Sequence, residues 1–70
     1  MKILIAEDDQ VLANFLSRGL KYEKFSVESV ADGKEALERI LKKDYDIVVL
    51  DLLLPSMDGR EVVRRARQRI

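Results

Sequence analysis

Two short apolar runs, Ile3-Leu4-Ile5-Ala6 and Ile47-Val48-Val49-Leu50, each stop at acidic residues, Glu7-Asp8-Asp9 and Asp51. An unbroken apolar run of this length suits a strand buried on both faces of a parallel sheet. A carboxylate at the end of such a strand is an unusual place for a charge. Behind Asp51 the chain continues Leu52-Leu53-Leu54-Pro55-Ser56-Met57-Asp58-Gly59, with Pro55 and Gly59 fixing a loop. If the two runs are neighbouring parallel strands, their acids converge at one end of a sheet. That arrangement points to a divalent cation and to chemistry on an aspartate.

The intervening sequence supplies the rest of an α/β pattern. From Gln10 to about Tyr22, Leu12, Phe15, Leu16, Gly19 and Leu20 recur at helical spacing, with Asn14, Ser17, Arg18 and Lys21 on the other side. Asp9 is placed to cap that helix. Phe25 to Val30 alternates apolar and polar residues, as a half-exposed edge strand does. Asp32-Gly33-Lys34-Glu35 reads as a capping box opening a second helix, whose apolar face is Ala36, Leu37, Ile40 and Leu41. Asp46 to Leu50 is the third strand. Asp58-Gly59-Arg60-Glu61 repeats the cap pattern and opens a third helix carrying Val62, Val63, Ala66 and Ile70.

Strand and helix alternate three times, which predicts parallel βαβ units with right-handed crossovers. The second strand is the least apolar and belongs at an edge, giving the order 2-1-3. The first helix then lies on one face of the sheet, the second and third on the other. Ligands of open parallel sheets bind beyond the carboxyl ends of the strands, where the strand order reverses. Here that crevice holds Glu7, Asp8 and Asp51.

Composition narrows the class. Seventy residues make one domain, and a chain this short buries only about 60% of the surface it exposes when unfolded. With no cysteine there is no disulfide, and with no histidine a zinc site is disfavoured, so the remaining staple is association with another chain. Hydrophobic residues make up 47% and charged residues 37%, the balance of a core-forming protein. A formal net charge of zero argues against a general nucleic-acid binder. The five arginines between Arg60 and Ile70 read as a solvated helix face, favourable near a helix C-terminus. There is no secretory signal and no run near the about 20 apolar residues of a membrane span, so no membrane is expected and a cytoplasmic location is the default. Both Gly-rich nucleotide-binding patterns are absent.

The acid cluster carries the chemistry. Carboxylates gathered at one point repel, and a hard cation relieves the repulsion. Magnesium takes oxygen ligands, commonly one or two carboxylates with waters and a phosphate oxygen. Asp51 at the mouth of the sheet is then placed to attack phosphorus and form an aspartyl phosphate. A lone acid after a strand is more often a turn residue or a cap, and Asp9 and Asp58 read as caps alone. The pairing of two acidic strand ends strengthens the chemical reading.

Three segments carry a family resemblance: Lys2-Ile-Leu-Ile-Ala-Glu-Asp-Asp, Ala31-Asp-Gly-Lys-Glu-Ala-Leu, and Asp46-Ile-Val-Val-Leu-Asp-Leu-Leu-Leu-Pro-Ser-Met-Asp-Gly. The last is the most specific. Together they resemble the receiver domain of bacterial two-component response regulators, across the whole chain without a gap. The resemblance implies half of a flavodoxin-like doubly wound fold, (βα)3, and a signalling module rather than an enzyme. It makes Asp51 the phospho-acceptor of a sensor histidine kinase. Glu7 and Asp8 become the metal-binding pair for Mg2+, with the main-chain carbonyl of Leu53 as a further ligand. The chain has no histidine of its own, so it takes the acceptor side of such a relay.

Receiver domains have five strands and five helices, and residues 1–70 match a truncated form that stops with the third helix. The Ser or Thr of a fourth strand and the lysine of a fifth have no counterpart here. Lys2 lies at the far end of the first strand, and Lys34, Lys42 and Lys43 belong on or beyond the second helix. Impaired phosphotransfer is the corresponding expectation. The third strand is left as an open apolar edge, of the kind natural proteins avoid exposing. A homodimer through that edge and the uncovered helix faces is expected, and a self-associating half-domain without phosphotransfer is the alternative function.

Overall fold

The computed structural model describes residues 1–69, and Ile70, read above as part of the last helix face, lies outside them. Three strands and three helices alternate: β1 Lys2–Ala6, α1 Gln10–Tyr22, β2 Ser26–Val30, α2 Gly33–Lys42, β3 Ile47–Leu50 and α3 Gly59–Arg67. The strands form one parallel sheet in the order β2-β1-β3, as the apolar pattern predicts. Ala6 pairs with Val30 on one side and Leu50 on the other, so all three strands finish level at their carboxyl ends.

Each helix begins where an acidic side chain accepts its free N–H groups. Asp9 accepts from Val11 and Leu12, Asp32 from Glu35 at 2.8 Å, and Asp58 from Glu61 at 3.0 Å. These contacts meet donors that have no partner within the helix. All three caps expected from the sequence are present.

Strand alternation divides the apolar residues between two faces. Leu4 and Ala6 of β1 meet Val30, Ala36 of α2, Leu54 and Val62 of α3 in the principal core, with Leu37, Ile40, Val48, Leu50 and Met57 packed at its margin. Here α2 and α3 lie against one another. Ile3 and Ile5 face the other way, toward α1, and are fully buried.

The face α1 presents matches the expected one only at Leu16 and Leu20. Its buried or half-buried residues are Ala13, Leu16, Ser17 and Leu20, whereas Leu12, Phe15 and Gly19 are exposed, Phe15 at 73%. The small Ala13 lets the helix backbone approach the sheet, and α1 leans toward β2 and β1. Phe15 is thereby carried off the contact. Ile47 and Val49, on the same side as Ile3 and Ile5, are left 43% and 41% exposed. In α3, Val62 and Ala66 are buried while Val63 lies on the outer side.

Away from the carboxyl ends, a polar cluster joins β2 to the end of α2 and the segment leading into β3. Glu28 accepts from the Tyr45 hydroxyl at 2.7 Å and from Arg39 at 2.8 Å, and pairs with Lys43 at 3.1 Å. The Tyr45 hydrogen bond, then Lys43, holds its carboxyl below the ordinary carboxylate range. A charged group on an edge strand also opposes pairing with another sheet.

Candidate functional site

The backbone ladder sets the acids beside one another. Beyond the last register pair, Glu7 N–H donates to the Val30 carbonyl and Asp51 N–H to the Ala6 carbonyl, both at 3.1 Å. Glu7 and Asp51 are therefore equivalent residues on adjacent strands, each one step past the sheet. Asp8 follows at the start of the turn into α1. Carboxylate oxygens of Glu7, Asp8 and Asp51 lie within 4.8 Å of one another. Glu7 and Asp51 are half-buried and Asp8 is exposed, so the cluster opens to solvent.

Hydrogen bonds orient two of the three. Glu7 accepts from the Asp9 N–H at 3.0 Å, and one Asp51 oxygen accepts from the Leu53 N–H at 3.1 Å. Leu53 thus reaches the site through its amide, with its side chain 84% exposed. Asp9 does not join the cluster; its carboxylate is committed to α1. Asp58 is likewise committed to α3.

An all-oxygen donor set of three carboxylates, two of them fixed by backbone N–H groups, fits a hard divalent cation and offers nothing soft to a thiophilic one.

The loop behind Asp51 is shaped by contacts on both sides. Gly59 N–H donates to the Leu52 carbonyl at 2.9 Å, and a Cβ at Gly59 would lie 2.6 Å from the Asp51 carbonyl oxygen. The start of α3 thus presses directly on the backbone of Asp51. On the other side Gly33 N–H donates to the Pro55 carbonyl at 3.0 Å. A groove of about 630 Å³ runs beside Asp51, lined by Leu50, Leu52, Leu53, Asp58 and Arg60. Arg60 is the cation of that lining. Sequence reading placed Arg60 on a solvated face, because nothing local marks the first turn of α3 as adjacent to Asp51.

The chain matches the response regulator receiver domain family over residues 3–70. It belongs to that family. The receiver chain is 46% identical over 67 residues to the response regulator ArlR of Staphylococcus saprophyticus, covering 96% of this chain and 30% of that protein. ArlR of Staphylococcus aureus strain Mu50 is 45% identical over the same length, with 31% of it covered. The chain therefore spans about a third of the curated relatives it matches.

Solved receiver domains share the fold. The Francisella response regulator 1452 receiver domain superposes with a TM-score of 0.92 at 33% identity, covering 96% of this chain and 55% of that one. The receiver domain of the sensor histidine kinase PA1611 from Pseudomonas aeruginosa gives 0.94 at 31% identity, covering 97% and 56%. That structure has a magnesium ion coordinated in its active site cleft. TrrA of Thermotoga maritima, in complex with Mg2+ and BeF, gives 0.89 at 30% identity, covering 96% and 58%. The expected fold and family are thus both found. Among the described residues no helix is long and apolar enough to cross a membrane.

Proposed function

We propose that this receiver domain accepts a phosphoryl group on Asp51 with Mg2+ held by Glu7, Asp8, Asp51 and the Leu53 main-chain carbonyl. The observation that carries the reading is the convergence of three carboxylates within 4.8 Å at the carboxyl end of the sheet. The free Asp51 oxygen attacks phosphorus of a phosphohistidine on a sensor histidine kinase. An O–P bond forms as the N–P bond breaks, and the released imidazole nitrogen takes the bonding pair and then a proton from water. The bound cation would neutralise charge on the transferred group. The Leu53 N–H orients the carboxylate through its second oxygen, leaving the first free to react.

Arg60 lines the groove beside Asp51 and is its cationic side chain. Incubation with acetyl phosphate and Mg2+ tests the proposal by intact mass. A gain of one phosphoryl group, lost with EDTA and in Asp51→Asn, supports it; no gain, or an equal gain in Asp51→Asn, contradicts it.

A second reading is self-association. Ile47 and Val49 stand 43% and 41% exposed on a strand with one open edge, and Phe15 on the same side of the sheet is 73% exposed. Two copies joined about a two-fold axis would cover these residues. The two readings are compatible, and the mass experiment separates a phospho-accepting dimer from an inert one.

A further inference from the structure

The loop from Leu52 to Asp58 touches the head of α2 at several points. Ser56 Oγ accepts the Lys34 N–H at 3.3 Å and donates to Asp32 Oδ1 at 3.2 Å, the same oxygen that caps α2. Beside it the Gly33 N–H donates to the Pro55 carbonyl. The approach is so close that a Cβ on Gly33 would lie 1.6 Å from the Met57 carbonyl oxygen. Ser56 itself sits at φ 65°, in the left-handed region. A non-glycine residue there is held by its surroundings against a local cost.

From this geometry we infer that Ser56 is a positioning residue for the acceptor site, fixing the loop that carries Leu53 by locking it to Asp32 and the Lys34 N–H. The inference rests on the phospho-acceptor reading above. The loop has other anchors: the Gly59–Leu52 hydrogen bond at its end, the Pro55–Gly33 hydrogen bond, Leu54, buried in the core, and Met57, packed at its margin. The Ser56 hydroxyl adds a side-chain hydrogen-bond link within residues 55–57, bridging a cap acceptor and a helix N–H. Through it the turn after β2, which contributes no group to the acid cluster, governs how well Leu53 is presented to Asp51. Groups that hold ligand-bearing residues in place commonly change metal affinity when removed.

The alternative is a merely structural contact that steadies α2. Ser56→Gly separates the two. It removes the hydroxyl, leaves the Asp32–Glu35 cap intact, and suits a positive φ. Ser56→Asn tolerates the same backbone and restores a hydrogen-bonding side chain. Two readouts are taken on the whole chain. One is the Mg2+ half-saturation read from the amide shifts of Glu7, Asp8 and Asp51. The other is hydrogen exchange at Lys34, whose N–H donates to Ser56, and at Leu53, without metal.

For Ser56→Gly the account predicts a half-saturation raised about tenfold. It also predicts faster exchange at both amides and an unchanged thermal midpoint, with both effects reversed in Ser56→Asn. Parent-like half-saturation and exchange in Ser56→Gly would overturn the inference. If the parent chain shows no Mg2+-dependent shift at the three acids, the site reading itself fails. The exchange measurement then still judges the lock: faster exchange in Ser56→Gly upholds it, and unchanged exchange removes it.

Discussion

Asp51 and Glu7 occupy matching places, one residue beyond the ends of adjacent strands, and their partnership follows from register alone. Manganese is a direct probe of it. Paramagnetic broadening should be selective for Glu7, Asp8, Asp51 and Leu53, and uniform or absent broadening would count against a cation site. At the opposite extreme of the residue scale, Gly33 has no room for a methyl group against the Met57 carbonyl. Gly33→Ala should destabilise the chain by about 2–3 kcal/mol, because backbone rather than a flexible side chain must move. Denaturant unfolding checks this, and a change below about 0.5 kcal/mol would contradict the close contact. The sequence displayed the acids plainly, since each interrupts an apolar run. It hid Ser56 and the proximity of Gly33 to Met57, because both arise from the packing of one loop on another. The glycine after Asp32 reads equally well as an ordinary helix start.

At the scale of elements, α3 carries its own electrostatic signature. Glu61 accepts from Arg64 and Arg65, and these bonds, Arg64 first, lower its pKa from 4.5 to about 2. A carboxylate whose folded pKa lies below its unfolded value contributes stability above the unfolded value and loses it as pH falls through the folded one. The Glu61 contribution is thus complete above about pH 4.5 and gone below about pH 2, and Glu28 acts in the same direction. Glu61→Gln should flatten the acid limb of the stability curve across that window, and an unaltered limb would show the pairs to be inconsequential. The contribution is small, since all three side chains are solvent-accessible.

The helices also show where periodicity succeeds and where it misleads. In α2 and α3 the caps, the starts and the buried positions Ala36, Val62 and Ala66 were all legible. In α1 the expected stripe was right at Leu16 and Leu20 and wrong at Leu12, Phe15 and Gly19. A small residue, Ala13, is the buried one, and apolar pattern alone ranks it below Phe15. Accordingly Val62→Ala should cost about 2 kcal/mol, whereas Phe15→Ser should stay within about 0.5 kcal/mol in a monomer. Equal losses in the two variants would refute the assignment of faces.

Taken whole, the molecule exposes 5003 Å² for 8.1 kDa, about 500 Å² more than the about 4,500 Å² typical of a folded monomer of this mass. The excess agrees with an uncovered β3 edge, the exposed Ile47 and Val49 on it, and the exposed Phe15 of α1. Self-association should therefore appear as a dimer in sedimentation at micromolar concentration, and a folded monomer there would contradict that reading. The strand order, and with it the meeting of two acidic strand ends, was recoverable from apolar runs and alternation because a parallel sheet buries its central strands on both faces. On the proposed function, that meeting makes Asp51 the site of phosphorylation. Mapping the phosphoryl group after reaction with acetyl phosphate and Mg2+, by borohydride reduction of the acyl phosphate and peptide mass analysis, addresses it most directly. The account predicts reduction at Asp51 alone; modification at Glu7, Asp8 or elsewhere, or none at all, would contradict it.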